Sequence, residues 1–96
     1  MTKSLHNIVD ERRAGKFTVS REFISRNLDI FFQAMADTLI VDARGNFIDD
    51  VIEYQAFSAC FDPLRRGEQL PFYNLIVKQD QDDAGNITYS FQWAKA

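Results

Sequence analysis

The sequence predicts a single α+β domain, with two N-terminal helices packed on one face of a four-stranded antiparallel meander sheet. Three observations lead there. The 96 residues fit one domain and contain no Pro-, Gly- or Ser-rich linker at which a second could begin. Apolar residues recur at three- and four-residue steps as far as Met35, and the period changes from Asp37 onward. The apolar segments after that point follow one another through loops, which is how antiparallel neighbours are joined.

The first helix is expected over residues 4–15. Ser4 is placed at its N-cap, and Leu5, Ile8 and Val9 follow at helical spacing. Arg12 and Arg13 suit the negative end of the helix dipole, and Gly15 suits the left-handed position that closes a helix. Residues 16–19 read as a short extended link. Ser20 then caps a stronger helix, with Val19 and Ile24 placed to form a hydrophobic staple. Phe23, Ile24, Leu28, Phe31, Phe32 and Met35 make its apolar face, and it should end near Ala36.

Thr38, Leu39, Ile40 and Val41 begin the first strand, and Arg44, Gly45 and Asn46 supply a tight turn. Residues 47–61 admit two readings. With period two, Ile48, Ile52, Tyr54, Ala56 and Cys60 share a face; as a helix, Asn46 caps and Phe47, Val51 and Tyr54 form a stripe. The aromatic content favours a long strand, with a bulge at Asp49 and Asp50. Two prolines and Gly67 make residues 62–71 a loop. Residues 72–79 form a strand that is apolar on both faces. Residues 80–86 make an acidic hairpin tip, and Ile87, Tyr89, Phe91 and Trp93 line one face of the last strand.

Composition limits the function classes. Apolar types make up 46% of the chain and thirteen residues are aromatic, which excludes the disordered class. No apolar run approaches the roughly 18–20 residues that span a bilayer, and the N-terminus lacks the apolar core of a signal peptide. A cytoplasmic protein without a membrane partner is expected. The single cysteine, Cys60, cannot form an internal disulfide and is read as a buried, inert thiol. The net charge of −3 divides into +1 for residues 1–44 and −4 for residues 45–96, the reverse of the concentrated basic face that binds nucleic acid.

No constellation of side chains forms a catalytic or metal motif. His6, the sole histidine, has no nucleophile near it in sequence and reads as a surface residue. The 80–86 segment faintly resembles a calcium loop, but Ala84 stands where an oxygen ligand belongs and Phe91 where the closing glutamate belongs. Asp49, Asp50 and Glu53 do not converge on a strand, and they read as a solvated edge. No cofactor is expected. What remains is a surplus of aromatic side chains and two charged loops. Arg65, Arg66 and Glu68 in the long loop, with Asp80, Asp82 and Asp83 at the hairpin tip, are the candidate partner-binding residues.

This short, acidic, motif-free and aromatic-rich profile resembles that of phage- or mobile-element-encoded accessory proteins, including anti-CRISPR inhibitors of host defence. The apolar excess and the absent chemistry point to a non-enzymatic protein-interaction module, and the resemblance implies one that inhibits a host protein or defence complex. The apolar surplus adds the expectation of a homodimer. The alternative is a small-molecule-binding domain, with Phe31, Phe32, Tyr54, Tyr73 and Trp93 lining an apolar pocket between helices and sheet.

Overall fold

The structure, a computed structural model, describes residues 5–96. Eight elements follow in order: α1 (Leu5–Asp10), β1 (Ala14–Ser20), α2 (Arg21–Arg26), α3 (Leu28–Ala34), β2 (Thr38–Asn46), β3 (Val51–Ser58), β4 (Tyr73–Gln81) and β5 (Ile87–Lys95). They build two sheets, one of three strands in the order β1-β3-β2 and one of β4 and β5, antiparallel within each sheet, with one isolated parallel bridge between Lys16 and Phe72. The expected arrangement of two helices on a four-stranded meander is therefore incorrect. The chain before α2 supplies a fifth strand, which takes the side of β3 that a meander would give to β4.

That strand was expected as the tail of a helix and a link. α1 ends at Asp10, and Arg12 rather than Gly15 adopts the left-handed conformation, at φ 55°. The proposed cap Ser4 lies outside the described residues. Gly15, Phe17 and Val19 alternate inward along β1, facing Ala56, Tyr54 and Ile52 of β3. Gly15 is required there for closeness: a Cβ would stand 2.6 Å from Cδ2 of Tyr73.

The second predicted helix is two. Ser20 caps α2 as expected, its hydroxyl accepting from the Phe23 N–H at 3.0 Å. Asn27, at φ −131° and ψ 46°, then breaks the run. The break rotates the next turn, so Phe31, Ala34 and Met35 are buried while Leu28 and Phe32 face out, Phe32 at 60% exposure. Helices of six or seven residues do not persist alone, so packing sets their phase.

β2 and β3 form a hairpin whose turn lies at residues 47–50, because Arg44, Gly45 and Asn46 still pair with Glu53, Ile52 and Val51. The bulge falls in β2, between Ile40 and Asp42, and not at Asp49–Asp50. Of the strand expected over residues 47–61, only Val51–Ser58 is strand, with Tyr54, Ala56 and Ser58 buried. Ile48 and Cys60, assigned to the same inner face, are exposed. Cys60 follows the end of the strand, where the chain turns: its N–H donates to the Ser58 hydroxyl at 3.2 Å.

The two sheets meet through Phe17 and Phe61, both fully buried. Phe17 stacks on Tyr54 at 5.2 Å and meets Trp93 of β5 at 4.8 Å, while Phe61 stacks on Tyr73 at 4.3 Å. The Lys16 N–H donates to the Pro71 carbonyl at 2.9 Å, fixing the start of β4 beside β1. Both hairpins extend beyond this junction. The radius of gyration is 14.5 Å, against about 12.5 Å for a typical domain of this length. The accessible surface is 6863 Å², against about 5,700 Å² for a compact chain of this mass.

Candidate functional site

The loop between β3 and β4 folds back over the outer face of β1 and β3 and leaves a shallow groove of about 390 Å³. Its floor is apolar. Ala14 and Phe57 face each other across the β1–β3 ladder, and Leu64 and Leu70 approach from the loop. Its rim carries Arg12, Arg65, Arg66, Gly67 and Glu68, all exposed.

Local backbone chemistry holds this rim. Arg12, left-handed at φ 55°, presents a carbonyl that accepts from the N–H of Ala14 at 2.9 Å and of Leu64 at 3.0 Å. A non-glycine residue held there is strained, and these bonds hold it. Arg13 ties the same loop down, donating from its guanidinium to the Phe61 carbonyl at 3.0 Å. Residues 65–68 form a β-turn: the Glu68 N–H donates to the Arg65 carbonyl at 3.1 Å, and Gly67 at φ 87° takes the position that favours glycine. The Glu68 carboxylate accepts from the Arg65 N–H at 2.7 Å, so it reinforces the turn.

Among the described residues, the guanidinium groups of Arg12, Arg65 and Arg66 take part in no ion pair within 4.0 Å. The other described arginines are each paired with a carboxylate: Arg13 with Glu11, Arg21 with Asp50, Arg26 with Glu22 and Arg44 with Asp42. Three unpaired cations against one carboxylate give the groove a positive rim on a chain of net charge −3.

The structure thus brings Arg65, Arg66 and Glu68 together and adds Arg12, which the sequence placed at the end of a helix. It does not bring in Asp80, Asp82 and Asp83. These lie at the far end of the β4–β5 hairpin, roughly 27 Å along β4 from Tyr73 at strand rise. Asp82 organises that turn, accepting from the N–H of Asn86 at 2.8 Å and of Ala84 at 3.0 Å. The Asn86 backbone N–H, followed by its side-chain amide, holds the Asp82 carboxyl below its ordinary value. A depressed carboxylate stabilises the fold above its unfolded value and loses that contribution as pH falls through its folded value. The Ala84 and Asn86 amide resonances should therefore move with a midpoint below pH 3.8 in an NMR acid titration. A midpoint at or above that pH contradicts the turn geometry.

Of the five side chains of the alternative apolar pocket, Phe31, Tyr54, Tyr73 and Trp93 pack into one core and Phe32 does not join it. Phe31 packs on Tyr54 at 5.8 Å, Tyr73 stacks on Phe61, Trp93 covers Phe17 and Phe61, and Phe32 faces solvent. His6 is exposed and pairs with Asp10 at 3.1 Å. Among the described residues, no group of three or more His, Cys, Asp or Glu could hold a metal ion, and no helix is long and apolar enough to cross a membrane. Comparison with family models, curated proteins and solved structures finds no match.

Sequence reasoning also missed the tip of the β2–β3 hairpin. Phe47 and Ile48 are 84% and 95% exposed there. A signal was present, since an apolar pair enclosed by Gly45-Asn46 and Asp49-Asp50 lies between turn formers and not within a strand.

Proposed function

We propose that this chain is a non-catalytic protein-binding module whose groove takes an acidic, partly apolar segment of a partner protein. The observation that carries the reading is the set of three unpaired guanidiniums around an apolar floor. Arginine pairs with carboxylates through two parallel, charge-assisted hydrogen bonds, and such bonds are stronger beside apolar surface than in open water. Apolar centres with polar, arginine-bearing rims are the usual anatomy of protein interfaces. A polyanionic nucleic acid fits less well, because the acidic β2–β3 and β4–β5 tips and the net charge oppose it. The simplest mode of action is occlusion, in which the module covers a partner's surface and blocks what that surface does.

Fluorescence anisotropy with a labelled peptide alternating Asp or Glu with Leu or Phe tests this. Binding should weaken by about tenfold or more in Arg65→Glu/Arg66→Glu, roughly 1.4 kcal/mol or more. It should weaken also with rising salt. A single-stranded oligonucleotide that binds more tightly than the peptide, or a variant that binds as well as the parent, overturns the reading.

A further inference from the structure

We infer that in the isolated protein the groove is filled by the β2–β3 hairpin tip of a second copy, and reciprocally, so that the chain forms a closed dimer. The inference rests on the groove reading above and names its occupant. Phe47 and Ile48 are the two most exposed large apolar side chains among the described residues, adjacent in sequence and followed directly by Asp49 and Asp50. Two apolar groups and the Asp49 carboxylate match in chemistry an apolar floor edged by guanidiniums, while Asp50 is paired with Arg21 of its own chain.

The tip is ordered before it docks. The Asn46 side-chain carbonyl accepts from the N–H of Ile48 at 3.0 Å and of Asp49 at 3.2 Å, and its amide donates to the Asp49 carboxylate at 3.1 Å. Asp50 sits at φ 53°, and its carbonyl accepts from the Arg21 N–H at 3.1 Å. A segment fixed in this way loses little further freedom on binding.

The tip cannot fill its own groove. It joins β3 at Val51, whereas the groove abuts Phe57, about 20 Å along the same strand at strand rise. One copy therefore offers a plug at one end of β3 and a socket near the other. Two copies laid antiparallel about a twofold axis engage both pairs at once, which closes the assembly.

Sedimentation equilibrium of the full chain, from micromolar to submillimolar concentration, tests this. The expected result is a mass approaching twice 11.1 kDa. Ile48→Asp and Arg65→Glu/Arg66→Glu should each weaken association by about tenfold or more. Asp49→Lys combined with Arg65→Glu/Arg66→Glu should recover it. Ile48→Asp changes an exposed side chain, so unchanged circular dichroism separates lost association from lost folding. A monomer at every concentration, a dimer that survives both variants, or a mass that grows past two copies overturns the inference. A monomer that still binds the acidic peptide leaves the groove reading intact and removes only the second copy.

Discussion

Phe17→Ala is expected to remove about 3–5 kcal/mol of stability, the range for truncating a fully buried aromatic side chain. Phe17 has no exposed surface, and its ring contacts both sheets: Tyr54 on β3 and Trp93 on β5. The substitution leaves a cavity at the junction that joins the two hairpins. A domain of this kind is typically stable by about 5–15 kcal/mol in total, so the loss is a large share of it. Urea denaturation measures the effect as a lower midpoint with an unchanged slope. A loss below about 1 kcal/mol means that Phe17 does not fill the junction as described.

Gly15→Ala is expected to destabilise by about 1–3 kcal/mol through overpacking. Gly15 lies within β1, in a backbone conformation any residue adopts, so alanine there would ordinarily be tolerated. The obstacle is the ring of Tyr73, whose Cδ2 and Cε2 would stand 2.6 and 2.7 Å from the new Cβ, with Phe61 at 3.3 Å. The ring cannot easily withdraw. It is buried, stacked on Phe61 and held by a hydrogen bond that its hydroxyl accepts from the Asp62 N–H at 2.9 Å. The steric account requires non-additivity: Gly15→Ala should cost much less in a Tyr73→Leu background. Equal cost in both backgrounds contradicts it.

The two predictions also mark where the sequence was legible. Tyr89, Phe91 and Trp93 alternate clearly enough to establish β5 as a strand, whereas residues 47–61 also fit a helix and only their aromatic content favours the strand found at Val51–Ser58. The prolines and Gly67 correctly mark a loop, and Ser20 correctly marks a cap. β1 was hidden because Gly15, placed by close packing against Tyr73, has the same spelling as a helix stop. Sheet order was hidden because β3 takes both its partners from earlier in the chain, a choice made by non-local burial. The phase of α3 turned on Asn27, a single residue whose break sends Phe32 outward.

The candidate site was legible by half. Arg65 and Arg66 stood out as a basic pair in a long loop, and the structure places them on the groove. Arg12 reached it only because a left-handed turn carries it across to Leu64, a contact no local pattern announces. Asp80, Asp82 and Asp83 stood out for charge alone, and Asp82 is occupied in holding its own turn.

The central claim is that partners engage the arginine-rimmed groove. Two-dimensional NMR of the isotope-labelled chain, titrated with the acidic apolar peptide, tests it most directly. The expected result is that shift changes concentrate at Arg12, Ala14, Phe57 and residues 64–70. Changes confined to the acidic β4–β5 tip, or spread evenly over the surface, would contradict it.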